Sequence, residues 1–369
     1  LNRLAAPLLL CLSLLVGCDD PSAVDVELQP DSRNARPTTA DFTIIAALPA
    51  NRVTRLTLDR GGKPYWTQHD PEREAIVFTL DERGLPRPTA LNAARVLQLI
   101  NARDGRGQFV ALLGDSTGGV LFHFVGRDGL RPISLIGRYR PPDGDISVVV
   151  DTATLQSVTS LGPSLVNARS ELLNPSAPML WLFTLDASML LRIDTVGGQL
   201  TVPRIENARG RPLGGEHDEW QACTADGTLW LLDASEPRGG VAGPPRLMRV
   251  GRSGRVTRDV ELPADADYPA NPVRLTRAAD ALLVFAVERP THRPPRLGGM
   301  AQPAASIEFP AFLLVEESGI IPISRDKLRM PASLPVQTLR ITALVCDPRD
   351  DSLVAYDAAS GYLLRIVMK

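Results

Sequence analysis

Four histidines and four cysteines are the only imidazoles and thiols in 369 residues. They are a thin supply for general-base work, nucleophilic catalysis or soft-metal ligation. His69 sits in TQHDPE and His217 in GEHDEW, both turn-like stretches. Glu216, His217, Asp218 and Glu219 are good donors, but four consecutive residues cannot all converge on one ion. A metal there needs a further ligand from a distant part of the chain. His123, in VLFHFVG, lies on an apolar run and reads as a packed strand residue. His292 falls in a proline-rich stretch and reads as structural or solvated. Ser116 lies among glycines in GDSTGG (residues 114–119), which reads as a hairpin turn between FVALL and VLFHFV. No G-x-S-x-G elbow, H-E-x-x-H pair, phosphate loop or dinucleotide fingerprint is present.

The cysteines carry more information. The chain starts LNRLAAPLLLCLSLLVGC, in which Arg3 precedes an apolar run from Leu4 to Val16 and small Gly17 precedes Cys18. That order of charged, apolar and small residues is the layout of an export signal. A membrane-spanning helix needs about 20 apolar residues; this run is shorter and ends in Asp19 and Asp20 rather than in basic residues. The segment Leu15-Val16-Gly17-Cys18 resembles the lipobox of bacterial lipoproteins. The resemblance implies cleavage between Gly17 and Cys18, a diacylglycerol thioether on Cys18, and a domain outside the cytoplasm, held at a membrane of the cell envelope. That covalent lipid is the one attached group expected, with no separate cofactor. Two or more acyl chains anchor stably where one is marginal. Asp19 resembles the residue that retains some Gram-negative lipoproteins in the inner membrane. The rule varies between groups, so inner and outer membrane both stay open.

With Cys11 in the signal and Cys18 acylated, Cys223 and Cys346 remain. Export permits a disulfide between them, and each also lies on a strand-like run (QACTADG, ALVCDP) where a thiol packs well. Residues 19–41 are polar and lack aromatics, the composition of a flexible tether. The expected layout is therefore a signal over 1–18, a linker over 19–41 and a folded body over 42–369.

That body has 32 prolines and 29 glycines in the whole chain to draw on and no sustained helical period. Short aliphatic and β-branched runs alternate with Asp and Gly clusters, which predicts an all-β fold of many short strands. Related stretches recur: RLTLDRGG (55–62), VFTLDERG (77–84), FVGRDG (124–129), LFTLDASM (182–189), TLWLLDAS (228–235), RVGRSG (249–254), LVEESG (314–319) and SLVAYDAASGYLLRIV (352–367). Each is an apolar strand followed by an Asp- or Gly-rich bend. A β-propeller of about seven four-stranded blades fits, with six or eight allowed and a sandwich pair or solenoid as alternatives. The last stretch, with Asp357, Gly361, Tyr362, Leu363 and Leu364, resembles a blade of quinoprotein-like and NHL-like repeat proteins. The tryptophan of quinoprotein repeats is missing after the turn, so quinone binding is not carried over. One helix is expected over SLVNARSELLN (164–174), capped by Ser164. Three stretches read as insertions: residues 206–220, 235–246 and 287–306, the last long and proline-rich.

The formal charge of −2 and scattered arginines leave no electrostatic footprint for nucleic acid. The expectation is a lipid-anchored envelope protein whose propeller binds a protein or glycan partner through its loops, without catalysis. The alternative is an exported propeller enzyme such as a metal-dependent lactonase. Enzymes of that kind hold a central metal with Glu, Asn and Asp residues far apart in sequence, a set no motif would reveal.

Overall fold

The computed structural model describes residues 39–48, 53–68, 75–102, 104–115 and 118–158. From residue 170 it describes the strands named below, with 327–334, 339, 341–347, 349–350 and 352–369. The folded unit spans Pro37–Lys369.

Strand β1 (Ala40–Ala47) is followed by a first four-stranded sheet of β2 (Val53–Leu58), β3 (Pro64–Gln68), β4 (Ile76–Leu80) and β5 (Pro86–Asn92). Helix α1 (Ala93–Leu99) leads to a second sheet, β6 (Gly105–Gly114), β7 (Val120–Asp128), β8 (Arg131–Arg140) and β9 (Asp145–Val150). After α2 (Thr152–Val158) comes a third, β10 (Ser170–Ser176), β11 (Met179–Thr184), β12 (Met189–Asp194) and β13 (Leu200–Thr201). The fourth is β14 (Trp220–Ala225), β15 (Thr228–Asp233), β16 (Arg246–Val250) and β17 (Val256–Glu261). The fifth is β18 (Val273–Ala278), β19 (Ala281–Ala286), β20 (Phe312–Glu316) and β21 (Gly319–Ile323). Short β22 (Leu328–Arg329) precedes β23 (Ile341–Cys346), β24 (Leu353–Asp357) and β25 (Tyr362–Met368).

Within each of the first five sheets, consecutive strands pair antiparallel in chain order. The sixth is composite. Its order is β23-β24-β25-β1-β22, so the first strand completes a sheet otherwise built from the last three. β1 runs antiparallel to β25 and parallel to β22. Its pairing takes in Ala40 and Asp41, two residues ahead of the Phe42 start read from the sequence. The first strands of the sheets neighbour one another in a closed circuit, β2 to β6, β10, β14, β18, β23 and back to β2. Six sheets thus form among the described residues, the lower of the counts that flank seven.

Such a ring has no central core. Apolar side chains fill the wedges between sheets, so strands are covered on both faces. β7 is buried from Val120 to Val125 with no alternation. Between the first two sheets, Phe109 meets Phe122 and Phe124 edge-on, with centroids 5.5 and 5.3 Å apart. Tyr65, Val77, Leu91 and the α1 residues Val96 and Leu97 complete that wedge. Between the sixth sheet and the first, Trp66 packs with Leu58, Val354, Tyr356 and Leu363. Leu328, Leu334 and Leu339, from the chain leading into β23, cover the other face of the composite sheet against Phe42, Leu353 and Ile366.

Both helices follow the fourth strand of a sheet. Asn92 caps α1, its side chain accepting from the Arg95 N–H at 2.9 Å, and Ala93, Val96 and Leu97 form its buried stripe. Asp151 caps α2 through the Thr154 N–H at 2.8 Å. The helix expected over 164–174 is not found where it can be checked. Residues 170–174 belong to β10, whose pairing with β11 overrides the local Leu spacing; residues 164–169 lie outside the described residues.

Connection lengths are lopsided. The longest between a first and a second strand is 347–352, and the longest between a third and a fourth is five residues, such as 81–85. Second and third strands are joined by up to 287–311, and one sheet passes to the next through up to 151–169. Because strands alternate in direction, the first-to-second and third-to-fourth turns, all short, lie at one edge of the sheets, and every long connection leaves from the other, beside the short β7–β8, β11–β12 and β24–β25 turns.

Candidate functional site

Aspartates that open the short turns could do chemistry only if their oxygens were available. Asp59 Oδ1 accepts the Lys63 N–H at 2.9 Å. Asp81 Oδ1 takes the N–H groups of Arg83 and Leu85 at 2.8 and 2.9 Å. Buried Asp357 accepts from Ala359 N and Ser360 N at 3.2 and 3.1 Å. These are Asx-type turn closures that use the carboxylate as a backbone mimic. Gly62, Gly84 and Gly361 supply the positive φ, at 73°, 74° and 75°. In GDSTGG the turn is closed by backbone groups: Asp115 N–H donates to Gly119 O at 2.8 Å and Gly118 N–H to Asp115 O at 3.0 Å. The Asp115 carboxylate lies 2.7 Å from Arg138 Nε. That stretch is the β6–β7 hairpin turn; Ser116 itself lies outside the described residues.

A dense polar cluster among the described residues sits where the last sheet meets the first, and its makeup was not apparent from the sequence. In DPRDDS, the turn from β23 to β24, buried Asp347 receives Arg349 Nε at 2.9 Å and Arg349 Nη2 at 2.6 Å. Arg365 Nη2 reaches both Asp347 at 2.8 Å and Asp350 at 2.9 Å, while its Nε donates to Ser352 Oγ at 2.9 Å. The Arg349 hydrogen bond holds the Asp347 carboxyl below the usual carboxylate range. Hydrogen bonding from Ser352 lowers that of Asp350. Gly62 forms the seat of the guanidinium: a Cβ there would stand 2.2 Å from Arg349 Cζ. Nearby, burial followed by the Asp59 charge pushes the Tyr65 phenol up, so it stays neutral.

His123 is fully buried on β7, with Nε2 2.8 Å from Ser134 Oγ. Burial lowers its pKa to about 3. It is a neutral core residue, as expected. Among the described residues no three His, Cys, Asp or Glu side chains form a group able to hold a metal ion. His69, His217, His292, Glu216–Glu219 and the three insertions lie outside the described residues, apart from Trp220 and Arg246, which begin β14 and β16; so does Cys18 with the whole signal and most of the linker.

Cys346 is half-buried on β23, its Sγ 3.8 Å from Asp347 O. Cys223 is on β14, and its side chain lies outside the described residues.

Solved structures share this architecture. A structural-genomics protein of unknown function from Bacteroides thetaiotaomicron aligns with a TM-score of 0.53 at 8% identity, over 89% of this chain and 76% of its own. A candidate gluconolactonase aligns at 0.51 and 10% identity, over 90% and 94%. A candidate oxidoreductase (glucose dehydrogenase) from Thermus thermophilus aligns at 0.50 and 13%, over 88% and 99%. The chain is a β-propeller. The resemblance to quinoprotein-like and NHL-like repeats thus holds for the fold, and at these identities for the fold alone. No family model matches the sequence, and no curated protein matches it either.

Proposed function

We propose that the protein is a bacterial envelope lipoprotein, anchored through an acylated Cys18, whose propeller binds a protein or glycan partner without catalysis. The observation that carries the binding role is the lopsided ring. Long connections gather at one edge of the sheets, and the turn aspartates at the other are consumed by backbone N–H groups and arginines. Side chains already committed to closing turns do not activate water or hold a metal, whereas long surface connections on a rigid scaffold are where recognition resides. Leu15-Val16-Gly17-Cys18 supports the anchor. Labelling with a clickable fatty acid in a bacterial host tests it: wild type takes up label, Cys18→Ala does not, and equal labelling removes the anchor from the reading.

The likeness to a candidate gluconolactonase favours a second reading, an exported propeller enzyme. Incubating the purified protein with sugar lactones and divalent cations separates the two. Hydrolysis that a chelator abolishes would replace the binding role by the enzymatic one.

A further inference from the structure

We propose that the outer end of β1 is a clamp, built to keep the ring-closing strand in place when the membrane tether is pulled. The inference rests on the anchor reading, because tension between a lipid at Cys18 and a bound partner enters the fold at Thr39. β1 is the fourth strand of the composite sheet and the one that joins the start of the folded chain to its last three strands. An outward pull at Thr39 breaks its pairing with β25 in sequence from that end, beginning at Ala40 and Met368.

That end is bound from both sides. Thr39 N donates to Lys369 O and Lys369 N to Thr39 O, both at 2.8 Å. Thr39 Oγ1 adds a bond to Lys369 O at 3.3 Å. Asp41 Oδ2 pairs with Lys369 Nζ, and Arg329 Nε stands 3.8 Å from Asp41 Oδ1. One carboxylate thus ties β1 to β25 on one flank and to β22 on the other. β22 consists of only the two residues that pair with Ala40 and Asp41. Of the chain before β23, this strand reinforces only the pairs that a pull loads first. Leu328 and Leu334 fasten the strap to the wedge beneath. Toward the opposite end a bulge interrupts the ladder between Ile44 and Ala46, Ile44 and Ile45 are part-exposed, and Leu48 N–H donates to Gly361 O at 2.7 Å, with no third strand recorded beside it among the described residues. The third strand and the Asp41 charge pairs are added at the end where tension would arrive.

Single-molecule pulling on the full chain, made without export so that Cys18 keeps its thiol, reads this directly. One handle is Cys18 and the other Leu130→Cys, at the almost fully exposed tip between β7 and β8, with Cys11→Ser, Cys223→Ser and Cys346→Ser. Release of β1 is expected as a separate step. Asp41→Asn should make it about fivefold faster at fixed force, the size of one part-exposed charge pair. Asp145→Asn, at the start of the outer strand of the second sheet, should leave it unchanged. Arg329→Gln, on the exposed partner, should act in the same direction as Asp41→Asn and covers the case where that variant fails to fold. Equal release rates in wild type and both clamp variants would overturn the proposal, as would unfolding of the domain with no separate β1 step. Because no lipid is involved, these outcomes are independent of the labelling experiment, which alone decides whether Cys18 is acylated.

Discussion

His123 should make this protein lose stability between pH 7 and pH 5. In the unfolded chain the imidazole titrates near its ordinary value of 6.5, while in the folded wedge burial lowers it to about 3. Between those values the unfolded state binds the extra proton, so stability falls as pH drops. The free energy is RT ln of the ratio of the two binding polynomials. At pH 7 that ratio is close to one; at pH 5 it corresponds to about 2 kcal/mol in favour of unfolding. Wild type and His123→Gln should be compared by urea unfolding at both pH values. Glutamine keeps a polar group beside Ser134 Oγ, which lies 2.8 Å from Nε2, but cannot titrate. Other groups contribute to the acid loss in both proteins and cancel in the difference. Wild type should lose about 2 kcal/mol more than the variant on going from pH 7 to pH 5. An equal loss would mean that folded His123 takes up the proton freely, and the sealed-wedge description of β7 would be wrong.

Three further outcomes follow from named contacts. Asp347→Asn removes the acceptor shared by Arg349 and Arg365; both partners are part-exposed, so the cost at pH 7 is roughly 1–2 kcal/mol. Because the folded carboxyl lies below its ordinary 3.8, that contribution is present above the unfolded value and lost as pH falls through the folded one. The gap between wild type and variant in urea should therefore narrow at pH 3. Gly114→Ala would place a Cβ 1.8 Å from Leu58 O and disturb the Gly114 N–H bond to Thr57 Oγ1 at 2.8 Å. It forces β2 and β6 apart and should cost at least about 2 kcal/mol in a urea titration. Gly84→Ala meets no atom within 4 Å and should cost only the left-handed strain of its φ, about 1 kcal/mol.

The strand character of the body was legible because Asp and Gly punctuate apolar runs, and those runs are strands. The sheet count was less so, for a specific reason. The recurring stretches mark hairpins, not equivalent places in successive sheets. RLTLDRGG joins a first to a second strand, β2 to β3. VFTLDERG, RVGRSG and LVEESG join third to fourth strands. FVGRDG, LFTLDASM and the turn at Asp357 join second to third. TLWLLDAS also ends a second strand, β15, so the first and fourth sheets contribute two stretches each and counting bends overshoots. The same chemistry serves all three positions, since any tight reversal wants a side-chain acceptor followed by a residue that tolerates positive φ. α1 was readable in principle, from Asn92 before the Ala93, Val96, Leu97 stripe, but is short enough to be lost among strands. The Asp347–Arg349–Arg365 cluster could not be read from spacing. Arg365 comes from β25, and the seat at Gly62 lies nearly 300 positions away on another sheet.

Closure and recognition make opposing demands on a ring, and the connections show how the two are kept apart. Closing it requires short turns whose polar groups bind one another, because a long turn beside the circuit of first strands would leave backbone groups without partners. The edge carrying the turns at Asp59, Asp115 and Asp347 meets that demand: Gly62 receives Arg349 across the sixth-to-first boundary, and Gly114 fits against Leu58 across the first-to-second. Insertions there would separate the sheets. At the other edge the chain already travels between strands or between sheets, so added residues lengthen a path without prising anything open, at a closure entropy that grows only with the logarithm of length. That is where residues 206–220, 235–246 and 287–306 enter the topology, between β13 and β14, β15 and β16, and β19 and β20. Sequence change that alters what is recognised can accumulate at that edge while the Asp-centred turns keep the ring shut.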